Sequence, residues 1–241
     1  MANLESIAML AEVDGVLLVD KPANISSHDV VKAVKTRFNL VKIGHGGTLE
    51  PNATGLLVLL VGDATRLSGD IMGRDRAYEA TVRLGRVTDT QDREGRVLSD
   101  GPAAVTREQL DAALPEFRGD IFQTPPPFSV IKRPDMPTYD IVPTDPEDAK
   151  ARLVHVYRLA VTAFEPPALA FELLCTKGVC VRALAHDLGQ QLGCGASLET
   201  LRRTKCANFS VADAIGFMDL LKLDAIGFKD RVIPMAGALA G

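Results

Sequence analysis

The segment Gly44-His45-Gly46-Gly47-Thr48-Leu49-Glu50-Pro51-Asn52-Ala53-Thr54-Gly55-Leu56 constrains this chain more than any other stretch. A glycine-rich turn with one imidazole and one carboxylate runs straight into Leu56-Leu57-Val58-Leu59-Leu60-Val61, an apolar run that reads as a buried strand. Glycine lets the main chain approach a ligand with no side chain in the way, and Pro51 restricts φ immediately after the acid. A carboxylate on a stiff loop beside a buried strand has the form of a placed catalytic group. The same residues also suit a surface turn with a solvated Glu50, and composition alone does not choose between the two.

Around this segment the pattern alternates between helix and strand periods. Val16 to Val19 reads as a short strand, and Ser27 is placed to cap a helix running through Val30, Val31, Val34 and Phe38. From Tyr78 the period becomes two, with Tyr78, Ala80, Val82 and Leu84 on one face. Thr106-x-x-Gln109 has the form of a capping box before Leu110 and Leu114. Leu153 to Phe164 and Leu169 to Cys175 outline two strands joined at Glu165-Pro166-Pro167. Val181, Leu184, Ala185, Leu188 and Leu192 then form a helical stripe ended by Gly193, so Arg182 falls in the first turn of that helix. Strands and helices without regular βαβ alternation predict an α+β fold with a mixed sheet.

With 241 residues and 46% hydrophobic composition, the chain can bury roughly 70 to 75% of its unfolded surface, enough for one large domain or two closely packed lobes. No apolar run approaches the ~20 residues needed to span a bilayer, and Met1 to Val13 has no basic n-region, so a soluble cytoplasmic protein is expected. Cys175, Cys180, Cys194 and Cys206 form no C-x-x-C pair and have no histidine at zinc spacing, so they read as reduced thiols with no structural metal. The net charge of −4 argues mildly against a nucleic-acid partner. Its placement is more informative: Lys32, Lys35, Arg37, Lys42, Arg66, Arg74, Arg76, Arg182, Arg202, Arg203 and Lys205 lie near the glycine loop or the late helix, whereas acids collect in Asp89 to Glu94 and Asp140 to Asp148. Such segregation is compatible with one basic cleft for RNA.

Lys42 to Leu57 resembles, at nearly every position, the Lys-x-Gly-His-x-Gly-Thr-Leu-Asp-Pro-x-Ala-Thr-Gly-Leu-Leu signature of the TruB family of pseudouridine synthases. The resemblance extends to Gly15–Pro22 with Ser26–Val31, to Ala77–Ala80 with Leu84-Gly85 and Thr88–Gly95, and to Gln123–Pro126 with Ser129 and Lys132. It resumes at Lys177–Gly189 and Leu201–Thr204, so four blocks in family order cover roughly residues 15–215. The resemblance implies a mainly antiparallel mixed sheet with flanking helices around a central cleft. It also implies an organisation of an N-terminal extension (1–14), a catalytic domain (15–215) and a tail (216–241). Many family members carry a C-terminal RNA-binding PUA domain, which this chain is expected to lack.

Three departures stand out. Glu50 replaces the family's catalytic aspartate, adding one methylene, about 1.5 Å of reach and another torsion. Cys180 stands where the family usually has a tyrosine walling the uridine pocket, and Lys132-Arg133-Pro134-Asp135 lacks the glycine that normally follows the lysine. A misplacement near 1 Å can cost on the order of 10²-fold in rate, so reduced activity is expected.

The activity implied is isomerisation of uridine to pseudouridine, with the T arm of tRNA as substrate and partner. It breaks the N1–C1′ bond and rejoins C1′ to C5, which needs neither cofactor nor metal. An ionised carboxylate acts as nucleophile or helps to form a glycal, a choice left open, and Glu50 would take that role. Arg182 matches the arginine that pairs with this carboxylate, and Tyr78 the tyrosine that stacks on the base, although a lone tyrosine at a strand start otherwise reads as core. His45 matches a histidine that contacts flipped nucleotides, with Gly46 and Gly47 beside the RNA. Lys21 would support the pocket, and Cys180 and Leu201 would wall it. His28, His155 and His186 read as structural or exposed. A monomer suffices for such a site. Two other functions are compatible with the residues: an RNA binder or tRNA folding chaperone with an impaired centre, and a synthase acting on another RNA.

Overall fold

The computed structural model describes residues 13–126, 128–131, 140–143 and 150–238, so the Lys132–Asp135 departure lies outside the described residues. The chain divides into two compact units: one comprises residues up to Arg76 and from Arg202 onward, the other Ala77–Leu201.

In the first unit β1 (Gly15–Lys21) leads through helix α1 (Ser27–Arg37) and the short β2 (Ile43–His45) to β3 (Thr54–Val61), followed by helix α2 (Ser68–Met72). β1 and β3 pair antiparallel along their length, from Gly15 opposite Val61 to Lys21 opposite Gly55. Leu56 to Leu60 are completely buried, as the unbroken apolar run predicts. Each such leucine contributes about 2 kcal/mol of burial. β2 also pairs antiparallel with β3, placing His45 opposite Leu59.

α1 buries Val30 and Val34, and Phe38 beyond it stacks on Phe228 with centroids 4.1 Å apart. Its N-cap is Ser26 rather than the expected Ser27: the Ser26 hydroxyl accepts from the Asp29 N–H at 3.0 Å. Ser27 is instead the first helical residue, and its hydroxyl is buried against the glycine loop. The competing partner explains the shift, because one serine oxygen cannot serve both the helix end and a neighbouring loop.

In the second unit β4 (Arg76–Leu84) shows the predicted alternation, with Tyr78, Ala80, Val82 and Leu84 buried. A small hairpin of β5 (Arg86–Thr88) and β6 (Val97–Asp100) precedes helix α3 (Arg107–Ala113), whose capping box is formed in both directions by Thr106 and Gln109. β7 (Gly119–Gln123), the hairpin of β8 (Phe128–Ile131) and β9 (Asp140–Pro143), and the long pair β10 (Arg152–Glu165) and β11 (Ala168–Cys175) follow. Helix α4 (Val181–Gln191) then buries Val181, Leu184, Ala185 and Leu188, and it ends before Gly193, whose φ of +73° suits a C′ glycine. The last long strand, β12 (Ala196–Cys206), crosses from the second unit's residues into the first's at Arg202.

The strand order is β12-β4-β11-β10-β7 in the second unit. In the first it is β13-β1-β3-β12, with β13 formed by Ile215–Gly216. β1–β13 and β3–β12 are parallel contacts, while the other ladders described are antiparallel, giving a mixed, mainly antiparallel α+β fold.

Candidate active site

The first unit carries Glu50 on the loop between β2 and β3, and three buried polar side chains fasten the main chain of that loop. Lys21, at the end of β1, donates to the carbonyls of Pro22 at 2.8 Å, Ile25 at 2.8 Å and Pro51 at 2.9 Å. An ammonium has three N–H groups, so each finds one carbonyl. Ser27 donates to the Leu49 carbonyl at 2.9 Å and accepts from the Leu49 N–H at 2.8 Å. The Leu49–Glu50 peptide is thus held by Ser27, and the Pro51–Asn52 peptide, one bond beyond the acid's own, by Lys21. Arg203 donates from Nε to Leu56 O at 2.8 Å, from Nη1 to Thr48 O at 3.1 Å and from Nη2 to Gly47 O at 3.0 Å.

Burial, and then the Arg203 guanidinium, lower the pKa of Lys21 from 10.5 to about 8. Glu50 itself is half-buried, and its own carbonyl closes a turn by accepting from the Ala53 N–H at 3.1 Å.

The glycines of this loop answer to two different demands. Gly46 is buried, and an added Cβ would come 2.5 Å from Ile71 Cγ2. Gly47 has φ +148°, a Cβ there would lie 3.3 Å from Arg76 Nη2, and its N–H donates to His45 Nδ1 at 3.3 Å. His45 is half-buried, and its carbonyl accepts from the Ser68 hydroxyl at 3.3 Å, so its ring is tied to the turn and its backbone to the start of α2.

The second unit gathers Tyr78, Cys180, Arg182 and Leu201. Arg182 sits in the first turn of α4 with only 6% exposure. Its Nη1 donates to the Thr90 carbonyl at 2.7 Å and lies 3.8 Å from Asp92 Oδ2. The loop that supplies these acceptors is built around the same aspartate. Asp92 Oδ1 accepts from the Thr90 hydroxyl at 2.6 Å and the Glu94 N–H at 3.0 Å, and its backbone carbonyl accepts from Thr88 Oγ1 at 2.6 Å. Backbone bonds between Gln91 and Leu198, and between Arg93 and Leu198, anchor the loop to β12.

Cys180 occupies the N-cap of α4 but makes no side-chain capping bond. Gln123, buried at the end of β7, secures that position instead: its amide accepts from the Cys180 N–H at 3.0 Å and donates to the Cys180 carbonyl at 3.2 Å. Tyr78 lies in the same apolar core as Val181, and Leu201 packs against it.

Several cations assigned from sequence to a basic surface are committed to internal bonds. Arg182 and Arg203 are buried, and Arg202 holds Asp20 through both carboxylate oxygens at 3.0 and 2.7 Å. Arg37 donates to the carbonyls of Leu221 and Leu223. The sequence also left Arg203, Ser27, Gln123 and Asp92 without assigned roles at the site. Nothing in Leu201–Thr204 distinguishes the buried arginine from its neighbour; the parallel register that sets Arg203 opposite Gly55 decides it. Among the described residues no group of three or more His, Cys, Asp or Glu side chains is arranged to hold a metal ion, and no helix is long and apolar enough to cross a membrane.

Comparison with known proteins covers nearly the whole chain. Residues 35–181 match the TruB family pseudouridylate synthase (N terminal domain), and residues 182–239 match the tRNA pseudouridylate synthase B C-terminal domain. The chain is similar to "tRNA pseudouridine synthase B" of Opitutus terrae, with 45% identity over 93% of this chain and 94% of the relative. It is 43% identical to the protein of the same name from Chromobacterium violaceum, over 92% of this chain and 73% of the relative. Among solved structures, it resembles a chain of "Crystal Structure of a Cbf5-Nop10-Gar1 Complex" with TM-score 0.75 and 28% identity, covering 97% of this chain and 63% of that one.

Proposed function

From the premise that the chain belongs to the TruB family of pseudouridylate synthases, we propose that it converts uridine to pseudouridine in the T arm of tRNA, at uridine 55, with Glu50 as the acting carboxylate. The observation that carries this reading is the fastening of the Glu50 loop. Leu49 and Pro51, on either side of the acid, are each bonded through the main chain to a buried side chain. That degree of constraint is costly for an ordinary surface turn and useful for a reacting group.

In the reaction the N1–C1′ bond of the target nucleoside breaks, the base turns within the pocket, C1′ joins C5, the proton on C5 leaves, and the freed N1 takes up a proton, so the product is an isomer of the substrate. No atom is gained and no electron is transferred to an outside acceptor. Glu50 acts as the ionised acid, as nucleophile at C1′ or as base toward a glycal. Arg182 supplies the positive charge that keeps the carboxylate ionised as RNA displaces water. Tyr78 stacks on the extruded base, His45 contacts the displaced nucleotide, and Cys180 and Leu201 line the pocket. Lys21 supports it through the loop, and one copy of the chain suffices.

The test is tritium release from a T-arm transcript carrying 5-tritiated uridine. The parent should release label, Glu50→Gln should release none, and Glu50→Asp should be faster by up to about 10²-fold because the shorter acid restores the family's reach. If neither the parent nor Glu50→Asp releases label, the synthase reading is wrong. The extra methylene at Glu50 also favours a second reading, an RNA binder with an impaired centre. Saturable T-arm binding without product, together with activity gained in Glu50→Asp, would select it.

A further inference from the structure

Arg203 is among the largest side chains wholly removed from solvent, at 1% exposure, yet it belongs to no catalytic constellation described above. Its guanidinium joins two ends of one loop. Nη1 and Nη2 hold the carbonyls of Thr48 and Gly47 where the loop begins, and Nε holds Leu56 O where it enters β3. Its main chain engages the same place, because an added Cβ at Gly55 would come 2.3 Å from Arg203 O. Gly55 has φ +97°, a conformation that favours glycine, so the loop closes directly onto the backbone of Arg203.

A buried guanidinium is an expensive way to fill space, since an apolar residue of similar volume avoids the desolvation. Its planar fork offers what an apolar residue does not, and what a lysine supplies only from a single point: N–H donors on three separate nitrogens in fixed directions, each meeting its own carbonyl. We propose that Arg203 is a positioning residue for Glu50, setting the path of the Gly47–Leu56 loop by its three carbonyl bonds while Ser27 and Lys21 hold the main chain of Leu49 and Pro51, the residues on either side of the acid. This rests on Glu50 being the acting carboxylate. Arg203 is buried beneath the loop, so its effect falls on the geometry of the reacting group and not on RNA affinity.

The experiment compares Arg203→Met, Arg203→Lys and Ser27→Ala with the full-length parent. It reads kcat and KM on the T-arm transcript, melting temperature, and hydrogen exchange of the loop amides. Arg203→Met should lower kcat by about 10- to 100-fold with KM within about 3-fold of the parent. Exchange at the loop amides should rise about 10-fold as the closing bonds are lost. Arg203→Lys should recover only part of the loss, and Ser27→Ala should speed exchange of the Leu49 amide. A folded Arg203→Lys or Arg203→Met with parental loop exchange, or with its whole defect in KM, would overturn the proposal. If Arg203→Met does not fold, Arg203→Lys and Ser27→Ala decide by the same readings. If the parent itself shows no activity, the functional reading falls, while the exchange data still judge the clamp.

Discussion

In the first unit the buried cations Lys21 and Arg203 direct their donors to main-chain carbonyls around the loop that carries Glu50. In the second unit the cation is itself the proposed functional group: Arg182 is gripped at its head by the Thr90 carbonyl, with Asp92 close by. One arrangement determines where a backbone runs and leaves the acid its side-chain torsions. The other determines where a charge sits. The difference bears on the longer acid at position 50. With the residues on both sides of the acid fastened through their main chain, the loop has little freedom to move back and absorb an added methylene, so accommodation falls to side-chain torsions, each costing of order 1 kcal/mol when forced off its minimum.

The comparison can be broken most sharply at Arg182. Arg182→Lys keeps a charge but loses the planar guanidinium whose Nη1 faces both the Thr90 carbonyl and the Asp92 carboxylate, so kcat should fall by about 10²-fold or more. Steady-state kinetics on the T-arm transcript check this. A kcat within about 3-fold of the parent would show that any nearby cation serves and that the grip on its head group is incidental.

A smaller effect is expected from titrating Lys21. Its folded pKa of about 8 lies below the ordinary 10.5, so between these values the unfolded chain retains a proton that the folded chain has released. Stability against unfolding therefore gains from this group as pH rises through that window, relative to Lys21→Met. Activity should move the other way. A neutral amine has two N–H groups for three carbonyls, so the loop loosens and kcat falls by about 3- to 10-fold through an alkaline limb near pH 8. Denaturant midpoints and pH–rate profiles measured together test this, and Lys21→Arg should lack the limb. Parallel movement of stability and rate would contradict it.

The smallest effect sharpens the contrast from outside the site. Thr106→Ala removes the α3 capping box, which should cost about 1 kcal/mol of stability. Denaturant unfolding reads that loss, and kcat should remain unchanged. A matching fall in kcat would mean that ordinary loss of stability reproduces the effects assigned to Arg182 and Lys21.

Local features of the sequence were read well where their causes are local. The buried β3, the alternation from Tyr78, the capping box at Thr106 and the stripe of α4 with its closing Gly193 each follow from periodicity or from a residue's own backbone preference. The N-cap of α1 was misplaced by one residue because Ser26 and Ser27 offer the same chemistry, and only the position of Leu49 separates them. The sequence marks Asp89 to Glu94 only as a place where acids collect, and it gives Asp92 no role, yet Asp92 organises the loop beside Arg182.

By itself the sequence determined the long strands and helices, the mixed α+β class and the set of residues proposed for the chemistry, because these depend on short-range patterning and on functional groups in recognisable order. The tertiary structure alone decided which charges are buried and what they hold. Lys21, Arg203 and Gln123 acquire their roles from carbonyls and amides 30, 155 and 57 positions away. Main-chain acceptors are the same at every residue, so no side-chain pattern announces them until the chain has folded.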